Sequence, residues 1–122
     1  MGKTGLSPLS AAIARAPRDN LRPFVAKWLD ARDAWPRALG LSALWHHRVD
    51  PGSRLFDLAG HSDAVVRGHA LRLAGALKRR DLLPMVLAGL DAETPGERLT
   101  AAVAACMLGE TRSAHRVIDQ IV

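Results

Sequence analysis

From Asp33 to His47 the chain reads DAWPRALGLSALWHH, and the same pattern recurs twice: DAVVRGHALRLAGAL from Asp63 to Leu77, and TPGERLTAAVAACML from Thr94 to Leu108. Each copy opens on a capping-type residue, Asp33, Asp63 or Thr94, and carries an arginine four positions later, Arg37, Arg67 or Arg98. The third, fourth and seventh positions after each arginine are small or aliphatic: Gly40, Leu41 and Leu44, then Ala70, Leu71 and Ala74, then Ala101, Ala102 and Ala105. Residues so spaced share one face of a helix. The arginines are 30 and 31 residues apart, the period of a stacked array whose units bury that face on one another.

Outside these copies the signals are also helical. Ser7-Pro8 is a cap followed by proline at the first helical position, with Leu9, Ile13 and Ala16 on one face. After a break at Pro17, Arg18 and Asp19, Asn20 is expected to cap a helix whose core face is Leu21, Phe24, Val25, Trp28 and Leu29. Asp50-Pro51 opens a short helix carrying Leu55 and Leu58, stopped by Gly60, and Leu82 to Leu90 forms another. Thr94, Pro95 and Glu97 supply cap, N1 proline and the acidic half of a capping box. Gly109 ends the third copy, and a last helix from Thr111 carries Ala114, Val117, Ile118 and Ile121. The prediction is an all-α fold, a right-handed α-solenoid of about four antiparallel helix pairs. Residues 1–5 are expected to be a flexible tail and 6–122 one repeat domain, in units of about 6–32, 33–60, 61–92 and 93–122. The apolar end at Ile121 and Val122 predicts a segment of a longer array, or association through that end.

Composition agrees with a folded helical domain. Apolar residues are 48% and charged residues 24% of 122, which argues against disorder. The net charge is +5, which raises the question of nucleic acid. The excess is uneven: residues 1–60 hold 9 basic and 5 acidic groups, residues 61–122 hold 8 and 7. A single cysteine, Cys106, excludes a disulfide framework and a multi-cysteine zinc site. The charge-free run Leu82 to Leu90 is far too short to span a membrane, and no secretory signal is visible. A bacterial-type cytoplasmic protein is expected.

The pattern at 33–122 resembles HEAT-like repeats of the short, roughly thirty-residue kind seen in phycobilisome-lyase-type repeat proteins. HSDAVVRGHALRLAGAL is similar as well to an uncharacterised group of bacterial HEAT-repeat proteins, some encoded near type VI secretion genes. The resemblance implies that Asp33, Arg37, Asp63, Arg67 and Arg98 are structural, the aspartates and arginines forming a ladder of hydrogen bonds between units. Thr94 departs from that pattern.

No catalytic constellation emerges. Gly2-Lys3-Thr4 lacks the upstream glycine and strand of a phosphate-binding loop. His46, His47, His61, His69 and His115 contain no His-Glu pair of the kind that iron-bearing helical-repeat hydroxylases use, so neither metal nor cofactor is expected. Cys106 reads as a small hydrophobe near the core. Trp28, Trp35 and Trp45 invite comparison with HEAT-like DNA glycosylases, yet Trp28 fits an apolar helix face. Lys78-Arg79-Arg80 reads as a solvated helix end. In LLPMVLAGL, Leu83, Val86, Leu87 and Leu90 suffice for a core stripe. That leaves Leu82, Met85, Ala88 and Gly89 to line an inner groove, with Arg22, Arg54, Asp57 and His115 at its rim. The expected function is a non-catalytic scaffold that holds an unidentified protein or peptide in a concave groove. The alternative is a nucleic-acid binder, glycosylase-like in its chemistry.

Overall fold

The three repeated stretches form the three long helices on which the others pack. The computed structural model describes residues 7–121, the side chains of 7–10, 18, 19 and 121 excepted, so the expected tail at 1–5 and the Gly2-Lys3-Thr4 echo lie outside it. The helices are α1 (Ser7–Arg15), α2 (Arg18–Leu29), α3 (Ala34–His47), α4 (Arg54–Ala59), α5 (Ala64–Ala76), α6 (Leu83–Gly89), α7 (Pro95–Met107) and α8 (Thr111–Ile121). A 3₁₀ turn, Arg80–Leu82, leads into α6. No strand occurs among the described residues, and none of these helices is long and apolar enough to cross a membrane.

α5 packs on both α3 and α7, and α1 packs on α3 through Ile13, Leu39 and Ala43. α2, α4 and α6 each pack on the long helix that follows, α3, α5 and α7, while α8 returns onto α7. The nine small or aliphatic positions picked out by the repeat are all buried. Leu41, Leu55, Leu73, Leu82, Val66 and Val86 are the largest fully buried side chains. Small residues set the helix spacing. A Cβ at Gly89 would stand 2.8 Å from the Ala101 methyl and 3.2 Å from Leu71 Cδ1, so α6 sits against α7 only because position 89 has no side chain.

Both ends of the long helices repeat in geometry as well as in sequence. At the start, Arg37 Nε donates to the Ala31 carbonyl at 2.5 Å, Arg67 to those of His61 and Ser62 at 2.9 and 2.8 Å, and Arg98 to those of Ala92 and Glu93 at 2.7 and 3.0 Å. Each arginine thus reaches six residues back and ties its own incoming linker to the helix. At the end, the amides of Val49, Arg79 and Glu110 bond the carbonyls of Leu44, Ala74 and Ala105 at 3.0, 2.9 and 2.8 Å. Between them Arg48, Lys78 and Gly109 hold the left-handed conformation, with φ of 54°, 57° and 91°. This is the Schellman helix stop, made three times in register.

The expected ladder takes a different form. Asp63 caps its own helix, accepting from the Val65 and Val66 amides at 2.9 and 3.2 Å, and Asp33 makes no capping bond. The arginines bond the carbonyls of their own incoming linkers instead. Arg67 alone of the three also reaches the next unit, at Glu97, 2.5 Å away. Two further expectations are corrected. α2 begins at Arg18 behind Pro17, whose extended φ and ψ of −60° and 141° set the entry, so Asn20 lies inside the helix. Phe24 is 51% exposed and stacks on Trp28 at the surface, 6.1 Å between ring centres.

Candidate binding cleft and the placement of the arginines

α4 and α6 end beside each other, and between their C-terminal ends a cleft of about 460 Å³ opens over α5. Ala59 and Gly60 close α4 on one side, Met85, Ala88 and Gly89 form the other, and Gly68 and Leu71 of α5 lie beneath. Gly68 leaves the floor without a side chain: a Cβ there would meet only Thr100 Cγ2, at 4.0 Å. The rim is acidic. Asp91 and Glu93 come from the linker into α7 and Glu97 from its first turn. Arg67 also lines the cleft, but its guanidinium is joined to Glu97 at 2.5 Å. That bond holds the Glu97 carboxyl below the usual carboxylate range.

Three of the four predicted groove residues, Met85, Ala88 and Gly89, do line the cleft. Leu82 does not. It is fully buried: it precedes α6, at the end of the 3₁₀ turn and with φ and ψ of −92° and 5°, so the helical register of α6 does not extend to it. Leu83 and Leu87, expected in the core stripe, are correspondingly only partly buried. The four predicted rim residues lie elsewhere. Arg54 pairs with Asp30, tying the start of α4 to the end of α2. Arg22 borders a small apolar hollow of about 100 Å³ with Leu21, Val25 and Val49. Asp57 and His115 are exposed on α4 and α8. Asp91 and Glu93 were legible only as linker; their role comes from the cleft that this linker borders together with the end of α4.

The basic run is internal scaffolding. Lys78 Nζ donates to the Met107 carbonyl at 2.7 Å, and Arg80 to the Leu108 carbonyl and, at 3.4 Å, to Glu110. Arg79 bridges Asp50 at 2.6 Å and Asp81 at 2.7 Å. The hydrogen bonds to Asp81 lead in raising the Arg79 pKa, and those from Arg79 lead in lowering that of Asp81. Three consecutive cations therefore tie the end of α5 to the end of α7 and to the linker after α3.

The aromatic and titratable groups divide similarly. Trp35 is 57% exposed, whereas Trp45 packs on the core beneath two guanidiniums, Arg72 at 4.1 Å and Arg48 at 4.7 Å from its ring centre. His46 meets the same ring edge-on at 5.1 Å. His47 Nε2 lies 2.9 Å from the Ile13 carbonyl, and His61 Nδ1 accepts from the Asp63 amide. Cys106 is partly buried against the core. Among the described residues no group of three or more His, Cys, Asp or Glu side chains could hold a metal ion. Comparison of the chain with known protein families, with curated proteins and with solved structures finds no match.

Proposed function

We propose that this chain is a right-handed HEAT-like α-solenoid segment, and that it acts without catalysis as a protein-interaction scaffold. The solenoid reading is supported by helix starts and stops that repeat at 30 and 31 residues and by the sequential packing of α3, α5 and α7. The binding reading rests on one observation: the cleft between α4 and α6 joins an apolar lining, with Leu71, Met85 and Ala88, to an acidic rim at Asp91 and Glu93. Such a surface suits a short partner segment that presents an apolar side chain flanked by lysine or arginine. The apolar contact supplies affinity, and the rim charges supply orientation and on-rate. A cytoplasmic location belongs to the same reading.

Nucleic acid is the less favoured partner. Arg54, Arg67, Arg79 and Arg80 are engaged with carboxylates of the chain itself, and Arg37 and Arg98 with linker carbonyls. The carboxylates at the cleft would repel a phosphate backbone.

The test is affinity capture from nuclease-treated source lysate with the parent chain, Met85→Asp and Asp91→Arg, all checked for parental helix content. The expected outcome is a protein retained by the parent and lost by both variants, with weaker retention at high salt. Retention of one and the same set by all three overturns the cleft as binding site. Loss of every ligand on nuclease treatment moves nucleic acid to first place.

A further inference from the structure

Arg72 differs from the arginines that pair or tie linkers. It is half-buried on α5, its Nε is fully buried with no hydrogen-bond partner, and its guanidinium lies over the Trp45 ring. One neighbour, Arg48, is a second cation, and Glu97, which lines the hollow beside His69 and Arg72, is paired with Arg67. Arg48 stacks on the same ring, and His46 and His69 flank it from α3 and α5. Arg48 spends one guanidinium nitrogen on the Trp45 carbonyl and keeps the other N–H groups. No carboxylate among the described residues pairs with Arg48 or Arg72. Burial first, and then Arg48, lowers the Arg72 pKa; burial first, and then Arg72, lowers that of His46 and His69.

Trp45, Arg72 and His69 also stand at positions where the repeats differ. The framework positions recur, but Trp45 stands where the other units have Gly75 and Cys106, and Arg72 where they have Ser42 and Val103. His69 stands where they have Leu39 and Thr100. The cluster therefore does not follow from the stacking pattern. A half-buried guanidinium with an unpaired N–H, repelled by a second one, is costly without a counter-anion.

We propose that the last turn of α3 and the facing turn of α5 form a binding site for a phosphate group, held by Arg72 and Arg48 with His46 and His69 beside them. Phosphate suits the cluster better than carboxylate does. It carries close to two negative charges and three acceptor oxygens, enough to engage both guanidiniums and an imidazole. Trp45 acts as a platform that keeps both guanidiniums in place. None of Arg48, Arg72, His46 and His69 lines the cleft between α4 and α6, although Gly68 and Glu97 border both that cleft and the hollow beside Arg72, and either proposal stands without the other.

The experiment compares thermal unfolding in inorganic phosphate with unfolding in sodium chloride of equal ionic strength, and follows the Arg72 Nε–H resonance by NMR. The expected result is a rise in Tm specific to phosphate and a saturable shift of that resonance. Arg72→Met, which keeps the stack and removes the charge, should fold at least as stably in chloride and bind phosphate about tenfold or more weakly. Arg48→Gly, at a left-handed position that glycine adopts freely, should show the same loss and serves if the first variant fails to fold. A parallel titration with phosphoserine separates the sources: tighter binding than inorganic phosphate assigns the site to a phosphorylated side chain, equal binding to the free ion. No response beyond that to chloride, or an undiminished response in both variants, overturns the proposal.

Discussion

Leu82 and Met85 are three residues apart, and the periodicity of a regular helix puts them on one face. Leu82 lies outside α6, at φ and ψ of −92° and 5°, and the two part: Leu82 is fully buried, and Met85 lines the cleft. Leu82→Ala is therefore expected to cost about 2–5 kcal/mol in chemical denaturation, the range for a truncated core leucine. Met85→Ala should cost clearly less, since its side chain is only partly enclosed. Equal costs would mean that the chain enters α6 as a regular helix. Arg72 makes a complementary point. Its identity was plain in the sequence, but an arginine in an amphipathic helix reads as solvated until a tryptophan 27 positions earlier is found beneath it.

The helix ends are where residue choice turns into geometry. Aspartate stands before both α3 and α5, yet only Asp63 accepts amide hydrogens from the first turn. Asp63→Ala is expected to lower stability by about 1 kcal/mol, and Asp33→Ala by only a few tenths. Matched urea denaturation of the two variants checks this, and equal losses would overturn the distinction. At the other end, Arg48, Lys78 and Gly109 share a left-handed backbone although only one is glycine. The Schellman bonds of the neighbouring residues outweigh the strain that a side chain adds there. The alignment of the three stretches, made from arginines and small residues alone, brings these three positions into one column. Of the three stops, only Gly109 was named from the sequence; that Arg48 and Lys78 make the same turn emerged from the backbone.

For the molecule as a whole, pH tests the charge arrangement. His69 and His46 have folded-state pKa values below the ordinary 6.5, so the unfolded chain takes up protons first. Stability should fall as pH drops below about 6.5, and His69→Gln should flatten that slope in unfolding measured across the range. Glu97 acts at lower pH: its contribution is present above the ordinary carboxylate pKa and is lost as pH falls through its depressed value. A parental slope unchanged in His69→Gln would show that this imidazole is not held neutral by the fold. The all-helical class, the three equivalent long helices and nearly all of their core faces were determined by sequence, because capping residues, the 3.6-residue period and the 30- and 31-residue repeat are local properties of the chain. Tertiary structure decided the rest. It turned Leu82 inward, brought Asp91 and Glu93 to the rim of the cleft, spent Lys78, Arg79 and Arg80 on neighbouring helix ends, and set Arg72 on Trp45. Each depends on which helices and linkers lie beside one another and how closely small residues let them approach, and that spacing is a property of packed surfaces, not of any one segment.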